Sequence, residues 1–587
     1  MDYIRLRGLG VSPGIAIGEV QLTEKVVFTN RKDSLSSTQV LEELKRLKGA
    51  INRTREQLVQ IRDNIKRKIG EEHSFIFEAH LMILEDKSLF STLTETIKKE
   101  KARAEWSISR VYDKYQKIFE SIDDEYIKQR KYDVTDVLSK IYRNLEPSEK
   151  GKKDDGKDKI LVAHELLPSE AALRLSKGNV LAVALDMGGQ TSHTAILARS
   201  LNIPAVVGLR DISQRVKNGD ILIVDGTDGE VLINPPLAIK KEFTSKKQKY
   251  NDYRKELQKI AKLSSQTLDS FDFIPLANIE LPEEVSMAFS MGAEGIGLFR
   301  SEFLYLQSAS LPSQEVHVQI YSQIAKDAYP SPVYIRTVDV GGEKNLPQFR
   351  IEKEPNPALG LRAIRLSLRE KEIFKIQLKA ILRASTLGNV KVLIPMITEL
   401  EEIEEVKMLF RKIKQELREK GVPFDENISL GVMIEVPAAA AITDVLVKEV
   451  DYISIGTNDL IQYYLAVDRS NELVSYLFKP LHPSVIRLIK FIIDAARKEE
   501  KEVTVCGEMA ADPLSAIILL GLGLRKFSMN PIFIPRIKKA LRSIEFSTAK
   551  SVVQEAMTLK TAQEIEECVI ERILVKHPNA FLGGEVT

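Results

Sequence analysis

Apolar positions along the chain follow a short-strand rhythm, then a helical one, then an alternation of the two. Residues 1–33 carry two β-like runs, Ile4–Leu9 and Ile15–Leu22, broken by the turn residues Gly10, Pro13 and Gly14. From about Ser37, Leu44, Leu47, Ile51, Leu58, Ile61 and Ile65 recur at helical spacing with Lys, Arg and Glu between them. Similar patterns in Phe75–Leu84, Ile108–Phe119 and Val134–Leu145 predict an antiparallel helical bundle over 34–148. A charged stretch from Glu149 to Lys159 has no apolar face and reads as an exposed loop. Beyond it, strand-like Lys159–Ala163, Val180–Leu185, Ala205–Val207, Ile221–Val224 and Glu230–Ile233 alternate with helical Glu170–Leu175 and Thr194–Leu201. If the opening strands join this unit, 1–33 and 149–236 form one discontinuous α/β domain and the bundle is an insertion.

Residues 237–265 are polar and lysine-rich, with Tyr250, Tyr253, Leu257 and Ile260 at helical intervals, and read as a solvated connecting helix. Over 266–587, strand-like runs begin at Ile274, Gly295, Val333, Val390, Leu430, Tyr452, Glu502 and Lys526, most of them separated by helical patterns. That count suits a (β/α)₈ barrel of the TIM type with helices after it. An open doubly wound sheet accommodates the same alternation.

Composition adds limits to this picture of a multidomain α/β protein. The 587 residues are 44% hydrophobic and 29% charged, which excludes collagen-like and wholly disordered classes. Lys and Arg total 85 against 83 Asp and Glu, so no global basic field points to nucleic acid or an anionic membrane. Only Cys506 and Cys568 carry thiols, too few for a disulfide framework. No stretch reaches the roughly 18 apolar residues of a membrane span. A cytoplasmic protein is the expectation.

Two sets of residues suit chemistry. His193 lies in Gly188-Gly189-Gln190-Thr191-Ser192-His193-Thr194, between a strand and a helix. Glycines let backbone approach a phosphate, a helix N-terminus stabilises an anion, and imidazole is a nucleophile at neutral pH. A histidine that only caps the loop fits the same setting. The second set recurs at the C-terminal ends of the later strands, where barrel enzymes build their sites: Arg300, Arg336, Glu435, Asn458 with Asp459, and Cys506, with Arg469 downstream. Arginines clamp phosphate and carboxylate groups, and two carboxylates with substrate oxygens make the sparse ligation Mg²⁺ prefers. Taken singly, each has a plainer reading, such as an Arg300–Glu302 surface ion pair or a Cys506 that is only a small buried hydrophobe. His73 and His80, seven apart, read as helix-surface residues, and His482 as a helix cap.

Several of these stretches together resemble a known family. The His193 motif, Gly8-Leu-Gly-Val-Ser-Pro-Gly14, Gly297-Leu-Phe-Arg-Ser-Glu302, Arg336-Thr-Val-Asp-Val-Gly-Gly-Glu-Lys344, Asn356-Pro-Ala-Leu-Gly-Leu-Arg362, Met433-Ile-Glu-Val-Pro437, Ile455-Gly-Thr-Asn-Asp459 and Cys506-Gly-Glu-Met509 occur in the order of Enzyme I. Enzyme I is the phosphoenolpyruvate–protein phosphotransferase family of the bacterial sugar phosphotransferase system. The resemblance implies that His193 takes phosphate from phosphoenolpyruvate and passes it to the carrier HPr, releasing pyruvate. It implies that Arg300, Arg336, Asn458, Asp459 and Arg469 bind substrate, that Glu435 and Asp459 ligate Mg²⁺, and that Cys506 donates a proton. It further implies a swivelling phosphohistidine domain, a bundle that docks HPr, a hinge in or beside 237–265, and a homodimer formed through the barrel.

The chain departs from the family's common pattern at Gln190, where Arg is usual, and at Ala171, where Thr is frequent. Leu361 and Ala511 also differ from residues seen in other members. A dikinase-like phosphoenolpyruvate enzyme is a rival reading, although 34–148 lacks a Gly-rich nucleotide loop. A regulatory phosphocarrier uncoupled from sugar uptake is another.

Overall fold

A computed structural model describes residues 3–23, 28–29, 31–69, 75–120, 125–145, 158–176, 178–189, 192–306, 311–341, 349, 354–469, 471 and 473–576. His73 and Gln190 lie outside these residues. Two compact units emerge, Met1–Asp252 and Tyr253–Thr587.

In the first unit, strands β1 (Ile4–Arg7), β2 (Leu9–Ser12) and β3 (Ile15–Thr23) precede five helices, α1 (Ser37–Ile69), α2 (Phe75–Glu85), α3 (Lys87–Glu100), α4 (Ala104–Glu120) and α5 (Glu125–Leu145). The chain then returns through β4 (Lys159–Ala163), α6 (Pro168–Leu175), β5 (Val180–Leu185), α7 (His193–Ser200), β6 (Ala205–Val207), α8 (Ile212–Arg215), β7 (Ile221–Asp225) and β8 (Glu230–Ile233). All eight strands form one sheet in the order β1-β8-β7-β3-β4-β5-β6-β2. β3 pairs with β4 in parallel from Val20↔Ile160 to Thr23↔Ala163, so the helical excursion leaves and re-enters the sheet at adjacent strands.

Strand alternation gives this sheet two apolar faces. One, including Leu161, Ala163, Val183 and Leu185, shares a continuous core with the helices through Leu47, Leu58, Phe77, Ile108 and Leu138. The other packs Ile160, Val162, Ala182 and Ala184 against Ile212, Val216 and Leu222. The 237–265 segment is mostly one helix, α9 (Leu237–Ala261), and the division between units falls within it. Its first half is anchored rather than solvated: Phe243 is buried with Ile15, Ile223 and Leu232, and Lys246 Nζ lies 2.7 Å from the buried Asp225 carboxylate.

The second unit holds β9 (Ile274–Ile279), α10 (Glu284–Ser290), β10 (Ile296–Arg300), α11 (Phe303–Leu306), α12 (Gln314–Ala328), β11 (Val333–Arg336), α13 (Ile364–Arg369), α14 (Lys371–Ala384), β12 (Val390–Ile394), β13 (Leu430–Ile434), β14 (Tyr452–Ile455), β15 (Glu502–Val505) and β16 (Lys526–Met529). These eight strands are parallel and close on themselves, β16 pairing with β9 from Lys526↔Ile274 to Met529↔Ala277. Closure decides against the open sheet. Leu276, Leu298, Tyr334, Leu393, Met433 and Tyr452 fill the barrel interior, while the alternate positions Phe299, Val333, Ile335, Val432 and Ile453 face the surrounding helices. Helices Ile534–Arg542, Phe546–Ala556 and Ala562–Lys576 follow the barrel. His482 caps its helix as expected, its ring nitrogen accepting from the Ser484 amide at 3.3 Å.

Candidate active site

The two-residue period that fills the barrel also aims its chemistry. Two positions beyond the inward-facing Leu298, Tyr334 and Met433 come Arg300, Arg336 and Glu435, and Cys506 itself is the inward residue just past β15. Arg300 and Arg336 are register partners on neighbouring strands. A cavity of about 280 Å³ opens there, lined by Arg300, Arg336, Asp339, Arg362, Glu435, Asn458, Asp459, Arg469 and Cys506 among others. Every barrel residue singled out from the sequence therefore faces one space.

The arginines are held by carboxylates. Arg336, almost fully buried, donates to Glu302 Oε1 at 2.6 Å and lies 3.2 Å from Asp339 Oδ2. Burial opposes its charge, but Glu302 and Asp339 more than offset this and raise its pKa. Arg362 makes a bidentate pair with Asp339 at 2.8 and 3.0 Å, and its other edge meets Asp459 at 3.3 and 3.2 Å. Arg300 pairs with Glu280 at 2.6 Å. The Arg300–Glu302 surface pair read from the sequence is thus not formed: Glu302 is 5% exposed and its carboxylate faces Arg336. At the rim, Arg469 donates to Glu508 at 2.7 Å, and Asn458 exchanges hydrogen bonds with the same residue at 3.1 and 2.8 Å.

Glu435 and Cys506 lie deepest. Burial, then the nearby Asp459 and Asp339 charges, push the Glu435 carboxyl up to about 8. One of its oxygens accepts from the Met396 amide at 2.7 Å, and a Cβ on Gly456 would stand 2.6 Å from the other, so only glycine leaves that oxygen free. Burial pushes the Cys506 thiol up to about 11, although a hydrogen bond from Ser454 Oγ at 3.3 Å works in the opposite direction. The thiol therefore keeps its proton at neutral pH.

In the first unit, His193 is the opening residue of α7, half-buried, with Ser192 capping the helix by accepting from the Ala195 amide at 3.3 Å. Gly188 has φ of +123°, a conformation open to glycine that lets the chain turn from β5 into this loop. Burial lowers the His193 pKa, Asp133 and Asp136 act to raise it, and His80 acts to lower it. The imidazole is neutral at pH 7 and has a free electron pair for attack. Ala171 is buried in α6 and brings no hydroxyl.

His80 is not a surface residue. It is fully buried, with Nε2 3.1 Å from Asp133 Oδ1 and Nδ1 3.6 Å from Asp136 Oδ2. Asp136 also accepts from the amide and hydroxyl of Ser169, each at 2.7 Å, tying α5 to α6. Sequence reasoning missed this group, and also Glu302, Asp339 and Arg362. The available signal was the Asp133/Asp136 spacing on one helical face, and Glu302 and Asp339 a few positions after Arg300 and Arg336.

A histidine loop on an α/β unit, with an arginine- and carboxylate-lined barrel mouth in the same chain, defines an enzyme class that handles a phosphorylated organic acid. Family profiles agree: PEP-utilising enzyme N-terminal, mobile and PEP-binding domains match residues 7–130, 156–229 and 254–546. Proteins named phosphoenolpyruvate-protein phosphotransferase align over nearly the full chain. That of Haemophilus influenzae is 42% identical over 97% of this chain and 99% of its own length. Those of Bacillus sp. (strain S) and Geobacillus stearothermophilus are each 39% identical over 95% of this chain and 96% of theirs. The chain belongs to the phosphoenolpyruvate-protein phosphotransferase family.

Proposed function

We propose that this protein transfers the phosphoryl group of phosphoenolpyruvate to His193 and then to a histidine of HPr, the first step of a sugar phosphotransferase system. The observation that carries the reading is the convergence of Arg300, Arg336, Glu435, Asp459 and a protonated Cys506 on one barrel cavity. Phosphoenolpyruvate presents a phosphate, a carboxylate and an enol carbon that must gain a proton. Arg336 and Arg300, side by side, meet the anionic groups, with Arg469 and Asn458 at the rim. The neutral His193 imidazole attacks phosphorus: a P–N bond forms as the P–O bond to the enol oxygen breaks. Cys506 delivers its proton to the enolate carbon to give pyruvate, and the thiolate recovers a proton from solvent.

Mg²⁺ fits this site. Glu435 and Asp459 face the same cavity, and both the burial and the neighbouring Asp459 and Asp339 charges that raise the Glu435 pKa would be offset by a cation. Among the described residues no three His, Cys, Asp or Glu side chains gather to hold a metal, so these two carboxylates would leave most positions to substrate and water, as Mg²⁺ prefers. Bound there, the ion would offset charge on the transferring phosphoryl and enolate oxygens.

In this account the α/β domain of 1–33 and 149–236 carries the phosphohistidine, and the inserted bundle of 34–148 docks HPr. The segment 237–265 provides the hinge that lets His193 serve both partners, and the barrel of 266–587 dimerises. A cytoplasmic location follows from these partners; among the described residues no helix is long and apolar enough to cross a membrane. The test is incubation with phosphoenolpyruvate and Mg²⁺. It should give an acid-labile, base-stable phosphoprotein with release of one pyruvate per site, and His193→Ala should give neither. Labelling from ATP but not from phosphoenolpyruvate would place the protein with the dikinases instead.

A further inference from the structure

Behind the cavity wall lies a buried polar network that the reaction itself does not use. Gln377, on α14, is fully buried among the apolar side chains of that helix, including Phe374, Leu378 and Ile381. Its Nε2 donates to Ser301 Oγ at 2.9 Å and to Tyr321 OH at 3.0 Å, and its Oε1 accepts from the Val338 amide at 3.0 Å. Ser301 Oγ donates in turn to the Arg336 carbonyl at 2.9 Å. Ser301 directly follows Arg300, and Val338 lies two residues beyond Arg336.

We propose that Gln377 is a positioning residue for phosphoenolpyruvate binding, holding in register the two strand ends from which Arg300 and Arg336 reach the cavity. The inference rests on the reading of those arginines as substrate ligands. One amide side chain grips the backbone after β10 through Ser301 and the backbone after β11 through Val338, while Ser301 binds the Arg336 carbonyl directly.

The hydrogen-bond donors leave no slack. Ser301 has a single proton, given to Arg336, so it must accept from Gln377. Both Nε2 protons are then committed, and Tyr321, accepting one of them, must give its own proton to His317 Nδ1, 2.9 Å away on α12. That requires a neutral His317, and burial holds its pKa down to about 4. A side chain needed only for bulk would be apolar here, because a buried amide is tolerated only when all its partners are present. The complete set of bonds, aimed at both arginine-bearing strand ends, points to geometry rather than filling. A displacement of about 1 Å at a binding group costs up to about 10²-fold.

The experiment uses the full-length protein with Gln377→Met, which keeps the volume and loses the bonds, and with Ser301→Ala. KM and kcat for phosphoenolpyruvate, transfer to HPr from protein already phosphorylated on His193, and melting temperature are measured together. The expected result is a rise in KM of about 10-fold, with kcat changed less than KM and transfer from the phosphorylated protein unchanged. Gln377→Glu, which keeps the acceptor for Val338 and loses the donor pair, should fall between Gln377→Met and the parent. If Gln377→Met does not fold, Ser301→Ala and Tyr321→Phe decide by the same KM criterion. An unchanged KM, with any loss confined to kcat or to folded yield, overturns the proposal. Arg336→Lys is run in parallel. If it leaves KM unchanged, the assignment of the arginines has failed; if it raises KM and Gln377→Met does not, only the role of Gln377 has failed.

Discussion

Replacing Cys506 by alanine removes the thiol proposed to protonate the enolate, a thiol whose proton burial holds in place. Burial moves the thiol from an ordinary 9.0 to about 11, so at pH 9 the thiolate fraction falls from about one half to about 1%. Two measurements follow. Alkylation of Cys506 by iodoacetamide, followed by mass spectrometry of its peptide, should show a rate that rises with a midpoint near 11. Restricted access slows the reagent at every pH and leaves that midpoint in place. Pyruvate formation by Cys506→Ala should fall by about 10²–10⁴-fold, the usual contribution of a positioned general acid. Binding of phosphoenolpyruvate should change little, because the arginines are untouched. Cys506→Ser should not restore the rate, since a hydroxyl is a much weaker acid than the thiol. An alkylation midpoint at 9 or below, or pyruvate release at the parental rate in Cys506→Ala, would show that Cys506 is not the buried acid of this site.

Other consequences are independent of that thiol. Arg362→Met strips the guanidinium from Asp339 and Asp459 together and should destabilise the barrel by about 3–5 kcal/mol in urea unfolding, with Arg362→Lys between it and the parent. Gly456→Ala drives a methyl against Glu435 and should raise the Mg²⁺ concentration needed for half-maximal phosphorylation about tenfold or more, while His193 already phosphorylated still transfers normally to HPr. His317 has a folded pKa of about 4 against an ordinary 6.5, so the unfolded chain binds its proton first as pH falls. Its contribution is fully present above about pH 6.5 and declines towards pH 4, by about 3 kcal/mol in all. A His317→Gln variant should lose that part of the pH dependence, and an unchanged profile would contradict it.

Much of the barrel was legible because a period of two is a strong constraint. Once Tyr334 and Met433 face inward, Arg336 and Glu435 have nowhere else to point, and strands ending together place them at one mouth. Closure was suggested by the count of eight strand-like runs and is borne out by β16 meeting β9, although no local pattern encodes that pairing and the same alternation also suited an open sheet. The ion pairs escaped for a related reason. Arg336 has Glu302, Asp339 and Arg300 as neighbours in sequence or register, and only three-dimensional geometry shows Glu302 turned towards it and Glu280 taking Arg300. His80 misled because one polar residue on an amphipathic helix looks solvent-facing, yet α5 brings Asp133 and Asp136 over it. His193 was visible as a loop histidine, but nothing in its immediate neighbours announced charges arriving from a helix some sixty residues earlier.

An ordered relay from phosphoenolpyruvate through His193 to HPr is open to one rapid-mixing experiment. Protein, Mg²⁺ and purified HPr from the same source are mixed with phosphoenolpyruvate carrying a radioactive phosphate, quenched in base at successive times, and each chain is digested and mapped. Label should appear first on His193, then on a histidine of HPr, and His193→Ala should block both. Label reaching HPr without passing through His193, or a His193 phosphoprotein that never yields its phosphate to HPr, would contradict it.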